Sequence, residues 1–173
     1  MNSTCGKILV LGLGNDILTD DAIGLNVVRH LREELAGDER IDVRETMEMG
    51  LALLDFIVGY RAVLIVDSIQ TGQSPAGTIH EVDTAGLKQL TGRTPHFLGV
   101  GETLALGRRL GLAMPQAVKI LAVEVEDPFT LGTEMTPALQ RAIPPVLARI
   151  RELLQELAAN APGCQMVAIA AEG

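Results

Sequence analysis

The sequence predicts a three-layer α/β/α sandwich around a largely parallel sheet, with one strand able to run antiparallel at its edge. Three observations carry this. The runs Ile8–Leu13 and Ala62–Val66 are short, continuously apolar and bounded by turn residues, as strands covered on both faces are. An amphipathic stretch of helical period follows the first run. Strands then alternate with helices along the chain, which is how a sheet covered on both faces is built.

The elements can be justified in order. After the first strand, Ile23, Val27, Leu31 and Leu35 recur every four residues with polar residues between them. Thr19, Asp20 or Asp21 is placed to cap this helix and Gly37 to end it. A strand is expected near Ile41–Thr46, then a short helix near Gly50–Val58, then the second apolar strand. The stretch SPAGTIHEVD (74–83) reads as a turn and an edge strand of mixed polarity. A helix near Gly99–Leu110 leads to the largely buried strand AVKILAVEV (117–125). Residues 137–159 look helical, with Ile143, Leu147, Ile150, Leu154 and Leu157 on one face, and Pro144 and Pro145 expected to bend or restart the helix. The chain, 1–173, reads as one domain, with a small-residue tail at about 159–173 expected to be loosely ordered.

Composition excludes several functions. The net charge is −8 with no basic stripe, which argues against nucleic acid as a partner. No run is apolar and long enough to cross a bilayer, so no membrane partner is expected. Cys5 and Cys164 lie near opposite ends and form no CxxC pair, which suits a reducing cytoplasm. Aromatics are 2% of the chain, too few for a sugar-stacking glycosidase cleft.

The stretch GLGNDILTDDAIG (12–24) is the chemically informative one. A glycine turn between strand and helix often cradles phosphate. Here Ile17 occupies the third glycine position of a dinucleotide fingerprint, and no P-loop lysine is present. Asp16, Asp20 and Asp21 would repel a phosphate and attract a cation instead. The competing reading is that Asp20 and Asp21 only cap the helix. Asp67 closes the second apolar strand, and if the two strands are parallel neighbours it emerges at the same sheet edge as Asp21, where open α/β sheets bind ligands.

Of the three histidines, His30 is expected near the apolar face of the first helix and His80 in solvent. His96 stands in a loop before a helix. His80-Glu81 fails as a zinc motif because Thr84 fills the second histidine position. No serine sits in a nucleophile elbow, and neither cysteine is placed for a Cys–His pair.

The segments LGLGNDILTDDAIG (11–24), GLALLDFIVGYRAVLIVDSIQTGQSPAGTI (50–79) and PHFLGV (95–100) resemble, in this order and spacing, the [NiFe]-hydrogenase maturation endopeptidases. The resemblance covers most of the chain and loosens after Glu124. It implies that Asp21, Asp67 and His96 bind a metal together and carry the catalytic site. Two carboxylates and one imidazole suit Ni²⁺ and would accept Zn²⁺ or Cd²⁺ in its place.

The resemblance further implies the substrate: the large-subunit precursor of a [NiFe] hydrogenase, cut only when nickel is already in it. The nickel would then belong to the substrate and be read by the site. Gly12 and Gly14 would let the backbone turn, and Asn15 would hold the loop. The metal could polarise the scissile carbonyl, or it could only position the substrate while Asp16 or Asp20 acts as general base. A non-catalytic nickel-binding chaperone or sensor would use the same ligands, and a nucleotide-binding protein is the third reading.

Overall fold

The computed structural model describes residues 6–83 and 100–159. Among these residues five strands form one sheet: β1 (Ile8–Leu13), β2 (Ile41–Thr46), β3 (Ala62–Ile69), β4 (Ile79–Asp83) and β5 (Ala117–Glu124). Their order is β2-β1-β3-β5-β4. All neighbours are parallel except β4 and β5, so the mixed-polarity strand does lie antiparallel at an edge. The two apolar runs are neighbours, with Ile8 opposite Ala62 and Gly12 opposite Val66. Their burial on both faces accounts for their unbroken apolar sequence.

Among the described residues four helices cover the sheet: α1 (Ile23–Glu34), α2 (Leu54–Ile57), α3 (Val100–Arg109) and α4 (Pro137–Ala159). A 3-10 turn, Gly50–Leu53, precedes α2. On one face Val10, Leu64, Val66 and Leu121 meet α1 and α4 through Val27, Leu31, Val146 and Ile150. On the other, Leu9, Leu11, Val63 and Ile65 meet Leu53, Ile57 and Leu104. These are the three layers.

Three glycines fix how closely α1 approaches the strands. A Cβ on Gly24 would collide with the backbone carbonyls of Leu13 and Val66. A Cβ on Gly12 would collide with the carbonyl of Gly24 and a methyl of Val28. Gly12 therefore serves helix–strand contact and lies inside β1 rather than in the turn. Gly14 makes the turn, at φ +151°, and a Cβ there would strike the carbonyl of Asp21.

Several sequence expectations need correction. The prolines do not restart the helix, since α4 runs through Pro144 and Pro145. Both are exposed, and the carbonyls they would leave unbonded belong to the exposed residues Gln140 and Arg141, which water can reach. On α4, Ile150, Leu154 and Leu157 are buried as expected, together with Leu139, Ala142, Val146 and Leu153, while Ile143 and Leu147 lie at the margin of the buried face. β3 continues past Val66 to Ile69, so Asp67 lies within the strand. His30 is exposed, its Nδ1 2.8 Å from the Asn26 carbonyl. Ile23 sits at the edge of the α1 buried stripe, so the residue seven further on falls outside it. The 159–173 tail lies, from residue 160 on, outside the described residues.

Candidate active site

β1 and β3 are neighbours from which the chain departs in opposite directions, from β1 to β2 on one side and from β3 to β4 and β5 on the other. Open α/β sheets bind ligands beyond the carboxyl ends of the strands at such a reversal. Asp21 follows β1 and Asp67 lies near the end of β3, so both carboxylates belong to this crevice. Asp67 is fully buried and Asp21 is 2% exposed. Ionisable side chains are seldom buried this completely without partners.

One residue touches both. The Ser68 hydroxyl donates to Asp21 Oδ1 at 2.6 Å, and the Ser68 N–H donates to Asp67 Oδ1 at 2.8 Å. Strand alternation explains the reach. Ser68 shares a face with Leu64 and Val66, the face that carries α1, so its hydroxyl meets the loop entering that helix. Asp67 shares the opposite face with Val63 and Ile65, the face that carries α3. Sequence reading missed Ser68, whose only signal is its place directly after Asp67.

Asp20 has a different task from Asp21. Fully buried, it accepts from the N–H of Asp127 (3.1 Å), the N–H of Thr136 (2.8 Å) and the Thr136 hydroxyl (3.2 Å). Its carboxylate thereby pins the loop between β5 and α4 to the loop between β1 and α1. The same two loops pair through Thr19 N–H to Thr130 O at 2.9 Å and Gly132 N–H to Ile17 O at 3.1 Å. The capping expectation is thus corrected. Ala22 occupies the cap of α1 with no side-chain hydrogen bond, because Asp20 and Asp21 are engaged elsewhere and the Thr19 hydroxyl donates to Thr130 O.

Asp16 is exposed and takes both terminal nitrogens of Arg29, at 2.9 and 2.6 Å, while Arg29 Nε reaches Glu45 at 2.9 Å. Asn15 holds the turn as expected: its Oδ1 accepts from Ile17 N–H at 3.2 Å. His96 lies outside the described residues. Among the described residues no three His, Cys, Asp or Glu side chains gather as a metal site.

His80 is not free in solvent. Its Nε2 lies 3.0 Å from Oε2 of the buried Glu124. Glu124 also accepts from the N–H groups of Thr71 and Gly72 and from the Thr71 hydroxyl. Burial pushes the Glu124 carboxyl up. The Thr71 hydroxyl, the two N–H groups and His80 outweigh it and hold the carboxyl below the usual carboxylate range. Glu124 fastens the loop that leaves β3 two residues after Asp67. Its place in an apolar strand gave no sign of this.

An α/β sandwich with two buried carboxylates at its topological switch point is the class of protein these observations define. A family model described as hydrogenase maturation protease (HycI) matches residues 25–153. The chain belongs to this family. It is 26% identical over 155 residues to the hydrogenase 2 maturation protease of Escherichia coli, covering 87% of this chain and 92% of that one. The solved structure of the hydrogenase maturating endopeptidase HybD from E. coli aligns with TM-score 0.72 at 26% identity, over 87% of this chain and 93% of that one. The [NiFe] hydrogenase maturation protease HybD from Thermococcus kodakarensis aligns with TM-score 0.65 at 23% identity, over 85% and 98%, and shares the fold.

Proposed function

We propose that this protein is an endopeptidase that removes the C-terminal extension of a nickel-loaded [NiFe]-hydrogenase large-subunit precursor, in the cytoplasm. The observation that carries the reading is the pair of buried carboxylates, Asp21 and Asp67, both held by Ser68. Membership of the maturation protease family supplies the reaction class. His96 is the third proposed ligand. It precedes α3 by four residues, and α3 covers the sheet face that Asp67 shares.

Nickel enters as part of the substrate. Two hard carboxylate oxygens and one imidazole nitrogen suit a borderline divalent ion and leave coordination positions for the substrate's own groups. Zn²⁺ or Cd²⁺ would satisfy the same donors. Such an ion would tie the precursor to the crevice through Asp21, Asp67 and His96, and the chemistry it would supply there is Lewis-acid polarisation. The Ser68 hydroxyl keeps Asp21 oriented for this. Asp16 and Asp20 are poorly suited to serve as general base: Asp16 is held by Arg29, and three donors already occupy Asp20.

The test is processing of the precursor followed on a gel. Wild-type protein should shorten nickel-loaded precursor and leave nickel-free precursor intact. His96→Ala should leave both intact while its circular dichroism matches the wild type. Nickel-dependent binding without any shortening would instead identify a nickel-binding chaperone or sensor. Full cleavage by a folded His96→Ala protein would remove His96 from the site.

A further inference from the structure

Eight large apolar side chains are exposed among the described residues, and six of them stand in segments that follow the carboxyl ends of strands: Ile17, Met47, Met49, Leu51, Phe129 and Leu131. Leu110 and Leu112, the other two, lie before β5 at the opposite edge. Scattered exposed apolar residues need no explanation, but a set gathered beside one crevice marks an interaction surface. Ile17, Phe129 and Leu131 are 59%, 57% and 76% exposed.

These three are also held in place. Leu18 and Leu131 form an antiparallel bridge, and the hydrogen bonds between residues 17–19 and 130–132 lock the two loops together. Beneath them Asp20 spends a buried carboxylate on the N–H groups of Asp127 and Thr136. Apolar side chains are thereby kept in solvent by a rigid backbone, which lowers the ordering cost of binding.

Charge narrows the occupant. Residues 14–22 and 126–136 contain six acids (Asp16, Asp20, Asp21, Glu126, Asp127, Glu134) and no Lys or Arg. Of these, Glu126 and Glu134 are exposed, and Asp16, also exposed, is paired with Arg29, so the rim charge rests on the two glutamates of the second loop.

We propose that Ile17, Phe129 and Leu131 form the docking surface for the folded precursor protein, and that the precursor meets it with an apolar patch rimmed by Lys and Arg. The inference rests on the peptidase reading of the adjacent crevice. It adds that affinity for the precursor comes largely from contacts outside that crevice. Truncating an apolar anchor then weakens binding while the chemistry at the carboxylates is kept. The basic rim makes association sensitive to salt, because exposed charges are screened.

The experiment compares wild type, a Phe129→Ser/Leu131→Ser variant and a Leu110→Ser/Leu112→Ser control. Precursor binding is measured by titration, and cleavage of nickel-loaded precursor by steady-state kinetics. The docking variant should need at least tenfold more precursor for half-saturation in both measurements, with turnover at saturation within twofold of wild type. The control should match wild type, and added salt should weaken binding by wild type. Circular dichroism and thermal unfolding check the fold.

An unchanged half-saturation in a folded docking variant would overturn the proposal. So would a wild-type dimer that the docking variant makes monomeric without any change in precursor binding, since a second copy would then own the surface. Wild-type protein that binds precursor through this surface but never cuts it would overturn the peptidase reading and uphold the docking surface.

Discussion

The Ser68 hydroxyl donates to Asp21 Oδ1 at 2.6 Å, so a residue of β3 orients the carboxylate that follows β1. The strand-spanning bond couples the two halves of the crevice. If Asp21 ligates the substrate's nickel as proposed, Ser68 holds a ligand without touching the metal, and removal of such a partner changes metal affinity or activity by about 10–100-fold. Ser68→Ala should therefore lower kcat/KM for precursor cleavage within that range. Asp21→Asn should lower it further. Steady-state processing assays on folded variants check both, and a Ser68→Ala protein with wild-type kinetics would show that Asp21 is oriented by other contacts.

Gly24→Ala should destabilise the protein by about 3 kcal/mol, the upper end of ordinary overpacking. Its Cβ would collide with the carbonyls of Leu13 and Val66, and backbone atoms cannot rotate aside as a side chain can. Gly37→Ala is the comparison. Gly37 has φ +105° but open space around it, so only backbone strain of about 1 kcal/mol is expected. Urea unfolding of both variants should rank them in this order, and equal losses would contradict the close approach of α1.

Glu124 gives the fold an acid-sensitive fastening. Its carboxyl titrates below the ordinary value in the folded state. Below the unfolded value, about 4.3, the unfolded chain takes up this proton before the folded one does. The stability Glu124 contributes is therefore complete above that pH and is lost as pH falls through the folded value. Glu124→Gln should lose about 1–3 kcal/mol at neutral pH, the usual cost of weakening a buried charged hydrogen-bond acceptor. Its further loss on acidification should be smaller than that of wild type. Unfolding midpoints measured from pH 7 down to pH 3.5 compare the two slopes, and parallel slopes would sink the assignment.

Strand and helix positions were legible because burial on both faces leaves a local mark: Ile8–Leu13 and Ala62–Val66 cannot be read as anything exposed. Asp21 and Asp67 were legible as a pair because strand ends of a parallel sheet share an edge. Ser68, Glu124 and Thr136 were not, because their partners are 47, 53 and 116 residues away in the chain. No local period records such a contact. The caps failed for the same reason. Thr19, Asp20 and Asp21 have the right chemistry to cap α1, and distant partners claimed them first: the Thr130 carbonyl accepts from Thr19, while Thr136 and Ser68 donate to Asp20 and Asp21. Gly12 and Gly24 showed as motif glycines, but only the packing of α1 on β1 reveals that they face each other.

The adjacent aspartates can be told apart by what their loss does. Asp20 accepts three hydrogen bonds from residues 127 and 136 and sits fully buried, so its removal takes the acceptor from the part-buried N–H groups of Asp127 and Thr136. Each such donor costs about 1–3 kcal/mol. Asp20→Ala should therefore lower stability by roughly 3 kcal/mol or more and speed hydrogen exchange at the Asp127 and Thr136 amides. Asp20→Asn keeps one acceptor oxygen and should lose about half as much. Cleavage by folded Asp20→Asn protein should stay within tenfold of wild type at a temperature where it remains folded, because the carboxylate that faces Ser68 is intact. A general base would give the opposite pattern: stability preserved in Asp20→Asn and turnover lost by the 10²–10⁴-fold that proton transfer contributes. Urea unfolding, amide exchange and single-turnover cleavage on the same preparation decide between the two, and the second pattern would make Asp20 a catalytic residue.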